Sequence, residues 1–263
     1  MSEAAATRLI VDRQGPVVIL TISNPAQRNV LGPEVYQGLA EITAQAGTDP
    51  TIRAVVLTGA DGVFCGGGNL RRIRDNIAKP REFQAAGIDV LHNAVRQIRA
   101  CSVPFIAAVE GAAAGAGFSI ALQCDMIIAA EDAKFSMAYV KIGLTPDGGG
   151  SAMLGALLAR QLAFELMALG DVISAQRLQA LGVVSRCVPR GEALQAALAV
   201  AARFAEGPRG AIGRVKRLSE FGLLMQDRQL DLERDLFVES LHGGEAAEGV
   251  AAFLEKRRPD FSR

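Results

Sequence analysis

Apolar residues in the first two-thirds of the chain gather in short unbroken runs, separated by stretches in which they recur every three or four positions. The runs Leu9-Ile10-Val11 and Val17 to Ile22 predict two strands with a turn over Asp12 to Pro16. Ala54 to Thr58, Phe105 to Val109 and Met126 to Ala130 are apolar but for Thr58, as expected of strands buried on both faces. A helix is predicted from Pro33 through Leu39 and Ile42, proline suiting a first helical turn. Another spans Arg81 to Arg99, with Val90, Leu91, Ala94, Val95 and Ile98 in helical register. Strand and helix signals alternate to about Val188, which argues an α/β fold. Beyond Gly191 only helices are predicted, over 193–206, 208–221, 229–241 and 245–256. We therefore expect a core over 1–190 and a helical region over 191–263 packed against it. The charged segment from Arg71 to Gly87 has no clear period.

Composition narrows the function classes. Half of the 263 residues are hydrophobic, and Lys plus Arg balance Asp plus Glu at 28 each. That balance offers no net field to draw nucleic acid or an anionic membrane, and neither is expected as a partner. No charge-free stretch is longer than Gly111 to Cys124, which is too short for a membrane span. The opening MSEAAATRLIVDRQG lacks the apolar core of a signal peptide, so a cytoplasmic location is expected. Cys65, Cys101, Cys124 and Cys187 stand far apart with no C-x-x-C, and no metal site is expected.

Two glycine-rich turns carry the candidate chemistry. One follows the Val55 strand, Asp61 to Leu70; the other follows the Phe105 strand, Glu110 to Gly117. Small residues after a buried strand let a ligand approach the backbone, and helix starts leave N–H groups unpaired. Two such N–H groups on one carbonyl would stabilise the oxyanion of a thioester enolate. Either turn alone is equally a tight strand–helix connection, and neither carries a dinucleotide or P-loop fingerprint.

Together with NPAQRNVL, AVVLTGADGVFCGGGNL, PFIAAVEGAAAGAGFSIALQCDMIIAAEDAKF, KIGLTPDGGG, ALGDVISAQRLQALGVVSRCV and EGVAAFLEKRRPDF, in that order, these turns resemble the crotonase (enoyl-CoA hydratase/isomerase) superfamily over nearly the whole chain. The resemblance implies a spiral of ββα turns with a C-terminal helical trimerisation region. It implies a homotrimer or dimer of trimers acting on an acyl-CoA thioester. Coenzyme A would belong to the substrate, with no separate cofactor. It places the oxyanion donors at the N–H groups of Gly68 and Ala116. It points to Gln27, Arg28, Cys65, Gly66, Phe253 and Lys256 for coenzyme A. For Lys256 the plain alternative is a solvated basic helix end.

The superfamily's hydratases carry two glutamates whose positions correspond here to Ser119 and Tyr139. Neither is a good general base at neutral pH, tyrosine having a reference pKa of about 10. Asp147, in TPDGGG, is the carboxylate that remains; the plain alternative is a cap for a helix starting near Gly149. Within the superfamily, GAAAGAG, GLTPDGGG, LDLERD and EGVAAFLEKRRPDF resemble the isomerases of ring-epoxidised phenylacetyl-CoA, whose acid/base aspartate falls on Asp147. One carboxylate that removes and returns a proton suits isomerisation. Enoyl-CoA hydration, opening of an oxepin-CoA ring and a non-catalytic acyl-CoA-binding subunit stay open as alternatives. Ser119 and Tyr139 would line the acyl pocket, and so would His92, whose register holds a catalytic histidine in the superfamily's dehalogenases.

Overall fold

The computed structural model describes residues 6–221 and 226–260. Strands β1 (Arg8–Gln14) and β2 (Val17–Ser23) form an antiparallel hairpin. The turn is tighter than expected, because Asp12, Arg13 and Gln14 remain paired with Ile19, Val18 and Val17. β1 is an exposed sheet edge, where polar side chains cost nothing. Helix α1 (Pro33–Thr48), strand β3 (Ala54–Gly59), helices α2 (Leu70–Asn76) and α3 (Arg81–Ala100) and strand β4 (Phe105–Val109) follow. The charged segment without clear period thus holds α2 and the first turns of α3.

A short strand β5 (Ala112–Ala114) then leads into α4 (Ala116–Leu122), β6 (Met126–Ala130) and β7 (Lys134–Ser136). A 3-10 turn over Ala138–Ile142 precedes α5 (Gly150–Leu157), α6 (Arg160–Leu169), β8 (Ile173–Ser174), α7 (Ala175–Ala180) and β9 (Arg186–Val188). Helices α8 (Ala193–Glu206), α9 (Arg209–Phe221), α10 (Gln226–His242) and α11 (Gly244–Leu254) complete the described chain. None of its helices is long and apolar enough to cross a membrane.

The main sheet has the order β1-β2-β3-β4-β6-β9 and is parallel from β2 onward. A second sheet, β5-β7-β8, stands beside it. The apolar runs serve two faces at once, because alternate side chains of a strand point opposite ways. Val18, Leu20, Val55, Leu57, Phe105 and Ala107 pack in the main core with Leu39 of α1 and Leu91, Val95 and Ile98 of α3. Val17, Ala54, Val56, Ile106, Ala108 and Ile128 face the other way, onto Ala193, Ala197 and Val200 of α8. Helix α9 is tied to the body by buried Lys216. Its Nζ sits 2.8 Å from an Asp125 carboxylate oxygen and donates to the carbonyls of Ile98 and Val103 at 2.8 and 3.3 Å. The parallel strands β3 and β4 deliver both glycine-rich turns to the same end of the sheet.

Candidate active site

The two turns run side by side. Phe64 N–H donates to the Glu110 carbonyl at 2.9 Å, and Cys65 N–H to the Ala112 carbonyl at 3.0 Å. Ala114 N–H returns a bond to the Cys65 carbonyl at 3.0 Å, so Cys65 pairs with Ala113 as a fragment of strand. Gly67 has φ of 103°, and a β-carbon there would stand 2.9 Å from the Ala114 carbonyl oxygen and 3.9 Å from the Ala116 nitrogen. The backbone next to Gly68 therefore abuts the first residue of α4. Among the described residues, no protein acceptor takes the N–H of Gly68 or of Ala116. Ala116 is the first residue of its helix, where an N–H has no intrahelical partner.

Gln27, Arg28, Cys65 and Gly66 come together at the next layer. Gly66 N–H donates to the Arg28 carbonyl at 2.8 Å. Fully buried Asn29 fastens that turn. Its Nδ2 donates to the carbonyls of Ala60 and Val63 at 2.8 and 2.6 Å, and its Oδ1 accepts from Asn24 N–H at 2.9 Å. An open cavity of about 480 Å³ lies alongside, lined by Gln27, Asn69, Arg71, Arg72 and Phe83 among others. The Cys65 thiol is buried and pushed up to about 12 by desolvation, so it is a packed, protonated group. Phe253 and Lys256 lie at the end of α11, a helix that packs against α2. Both are exposed at the C-terminal end of α11, which stops at Leu254, and neighbouring Arg257 folds back onto Glu248.

On the other side of α4 lies the polar group that sequence reasoning singled out. Asp147 is 4% exposed, and its Oδ1 accepts a 2.6 Å hydrogen bond from the Tyr139 hydroxyl. Tyr139 also stands 3.0 Å from the hydroxyl of fully buried Ser119. Desolvation lifts the Asp147 carboxyl to about 6, with the Tyr139 hydrogen bond opposing the rise. The Tyr139 hydroxyl is held well above its usual range by burial and then by the Asp147 charge. Tyr139 is thus a donor to Asp147, not a base. The Tyr139 ring lies 3.9 Å from the position a Gly115 β-carbon would take, which sets this group beside the start of α4.

Asp147 does not cap α5. That duty falls to Glu233, on α10, whose Oε2 accepts Gly149 N–H at 2.7 Å and whose Oε1 accepts Ser151 N–H at 3.0 Å and the Ser151 hydroxyl. His92 is fully buried behind the same turn, and its Nε2 accepts Gly148 N–H at 3.3 Å. The ring proton therefore sits on Nδ1, which finds no partner among the described residues. Burial pushes His92 down to about 4, so it is neutral near pH 7. Gln123, at the C-terminal cap of α4, donates to the Gly148 carbonyl at 3.1 Å.

Sequence reasoning missed Glu233 and Tyr36. Glu233 lies between Leu230 and Phe237, both buried, on the inward stripe of α10. A charge at a stripe position was the available signal. Half-buried Tyr36 of α1 is pushed well above its usual range by burial, then by the charge of Asp147. The signal there was thinner: it is one of only two tyrosines in the chain.

Two abutting glycine turns with free amides, beside a buried carboxylate, are an arrangement for a polarised carbonyl and a mobile proton. The family model for Enoyl-CoA hydratase/isomerase matches residues 12–263. The chain belongs to the enoyl-CoA hydratase/isomerase family. Within this crotonase superfamily, it is 36% identical over 248 residues to the 1,2-epoxyphenylacetyl-CoA isomerase of Escherichia coli (strain K12), covering 94% of this chain and 95% of that relative. It is 33% identical over 256 residues to the 2,3-dehydroadipyl-CoA hydratase of the same strain, covering 97% of this chain and 98% of the relative. A crystal structure of an enoyl-CoA hydratase from Polaromonas sp. JS666 matches with a TM-score of 0.80 at 46% identity, covering 96% of this chain and 99% of that one. The crotonase fold, mixed α/β with C-terminal helices, is therefore the fold of this chain, and acyl-CoA chemistry is the activity of its family.

Proposed function

We propose that the protein is an acyl-CoA isomerase that moves a proton with Asp147 while the N–H groups of Gly68 and Ala116 stabilise the thioester enolate. The observation that carries this reading is the state of Asp147. It is buried, it accepts from one side-chain hydroxyl, and the helix that follows it is capped by another residue. A carboxyl near 6 is ionised at neutral pH, ready to accept a proton, yet close enough to that pH to return it. The α-proton of the thioester would pass to Asp147 as negative charge moves onto the thioester oxygen between the two amides. The same carboxyl would then deliver the proton to another carbon of the acyl group.

Ser119 and Tyr139, at the positions of the hydratase glutamates by resemblance, would shape the acyl pocket and hold the Asp147 carboxylate in place. His92, neutral and behind the turn, would support the pocket wall. Gln27, Arg28, Cys65 and Gly66 would bind coenzyme A, joined by Phe253 and Lys256 from α11 in a trimer or dimer of trimers. Exposed Phe164, Leu169 and Val172 are the kind of apolar surface that such an assembly covers.

A panel of unsaturated and aryl-substituted acyl-CoA thioesters, read by mass spectrometry, tests the reading. Isomerisation leaves the mass of the consumed thioester unchanged. A gain of one water on the preferred substrate would make the protein a hydratase, and binding without turnover across the panel would make it a non-catalytic subunit.

A further inference from the structure

The support behind Asp147 comes from a part of the chain far away in sequence. Three residues from three separate parts of the chain hold the main chain that follows Asp147. His92 of α3 takes the Gly148 N–H, Gln123 at the C-terminal cap of α4 gives to the Gly148 carbonyl, and Glu233 of α10 takes the N–H groups of Gly149 and Ser151 together with the Ser151 hydroxyl. Gln229, one turn earlier on α10, donates to the Ser151 hydroxyl oxygen at 2.6 Å. Phe237, one turn later, meets the Tyr139 ring edge-on with centroids 6.5 Å apart. One face of α10 thus braces both the Asp147 turn and the tyrosine that donates to Asp147.

Of these three supports, only Glu233 brings a carboxylate. It is 4% exposed, and burying a carboxylate is unfavourable unless hydrogen bonds offset the lost hydration. A neutral glutamine or a serine would cap α5 with less desolvation, so the placement calls for a reason beyond capping. We propose that Glu233 is a positioning residue for the reaction: from α10 its buried carboxylate fixes the Asp147 turn through the Gly149 and Ser151 amides and sets a second ionisable carboxyl behind the proton carrier. This inference rests on the reading of Asp147 as the proton carrier.

The titratable and charged groups around Glu233 allow the two carboxyls to couple. Asp147 and Tyr139 face it from the site, and neutral His92 stands across the turn. Arg234 and Asp231 of α10 engage one another, with Asp89 and Arg96 of α3, at the solvent side. Burial lifts Glu233 to about 7, with the Asp147 charge adding to the rise and the Ser151 and Gly149 hydrogen bonds opposing it. Burial thus raises both carboxyls, and whichever ionises second does so against an existing negative charge. Two carboxyls coupled in this way titrate as a pair, in two macroscopic steps.

The test follows exchange of the α-protons of phenylacetyl-CoA in deuterated water from pH 5 to 9. Ring and thioester both acidify these protons, so no later step is required. For the wild type we expect a rise in two overlapping steps between about 6 and about 7. In Glu233→Gln the limiting rate should fall roughly 10- to 100-fold at pH 8 with little change in the half-saturating concentration, and the profile should collapse to one step near 6. Glu233→Asp, which keeps the charge, should recover the second step. A Glu233→Gln rate and profile equal to the wild type would overturn the proposal. So would a lost rate with an unchanged profile that aspartate does not restore, since that is loss of folding support alone. A double-mutant cycle of Asp147→Asn and Glu233→Gln, read by urea unfolding, tests the coupling without turnover. Coupling at pH 8 that disappears at pH 5 supports the proposal, and its absence at pH 8 overturns it. If the wild type exchanges nothing while the cycle couples, the assigned activity fails and the pairing of the carboxyls stands.

Discussion

The chain contains two turns of nearly the same composition, Cys65-Gly66-Gly67-Gly68 and Asp147-Gly148-Gly149-Gly150, and the structure puts their backbones to opposite uses. In the first, the run of amides ends with Gly68 N–H free of any protein acceptor among the described residues. In the second, every amide from Gly148 to Ser151 is taken, by His92, Glu233, the Asp147 carbonyl and Glu233 again. The glycines of the second turn are required for shape. Gly148 and Gly149 have φ of 63° and 76°, and a β-carbon on Gly150 would stand 2.9 Å from the Met137 methyl and closer still to the Ser119 hydroxyl. A free amide offers its hydrogen to a ligand, whereas a satisfied amide fixes the side chain beside it. Glycine content alone does not tell the two apart; the partners of the N–H groups do.

The sharpest way to break this comparison is to remove the side chain that the second turn presents. Asp147→Asn keeps the shape and the acceptor for Tyr139 but cannot take a proton, and we expect turnover of the preferred thioester to fall by about 10³-fold. Steady-state rates within tenfold of the wild type would assign the proton transfer elsewhere. Next in size is the loss of one free amide from the other pair. Ala116 is the first residue of α4, where proline is tolerated, so Ala116→Pro deletes the N–H while sparing the helix. A loss of roughly 10²-fold in kcat is expected, with circular dichroism unchanged.

Stability should move in the opposite direction from activity. Asp147 is raised from 3.8 to about 6 in the folded state, so the folded chain holds its proton more tightly than the unfolded one. Stability therefore falls as pH rises from about 4 to 6, and the cost of the buried charge is complete above that window. Asp147→Asn should accordingly be more stable than the wild type at pH 8, by up to about 3 kcal/mol, and close to it at pH 4. Urea midpoints at the two pH values check the sign. The smallest effect concerns Tyr139→Phe. Its hydroxyl opposes the rise of Asp147, so removing it should shift the acidic limb of the rate profile to higher pH and lower kcat about tenfold. An acidic limb that moves down instead would show that the hydroxyl stabilises the protonated acid.

The parts of this molecule that follow local rules were readable in advance. The buried strands β2, β3, β4 and β6 and the helices α3 and α8 lie within a residue of their expected bounds, because unbroken apolar runs and helical spacing are local signals. The small strands β5, β7 and β8 were not foreseen. β5 is three alanines inside a glycine-rich turn, and only its neighbours Cys65 and Lys134 to Ser136 make it a strand. The same division holds in the site. Asp147 stood out through its motif, and the glycine turns through their position after strands. Glu233 lies 86 positions from Asp147 by the numbering, and its contact with Gly149 is made only when α10 folds back onto α5. Whether Asp147 was cap or carboxylate at large was likewise undecidable without Glu233 in place.

The central claim is that two main-chain amides polarise the thioester carbonyl independently of the carboxylate that moves the proton. Vibrational difference spectroscopy of phenylacetyl-CoA labelled with ¹³C at the thioester carbonyl, bound to the wild type and its variants, addresses it directly. The account predicts a carbonyl stretch moved to lower frequency on binding, retained in Asp147→Asn and largely lost in Ala116→Pro. A bound carbonyl at its solution frequency in the wild type, or a shift that survives Ala116→Pro intact, would contradict it.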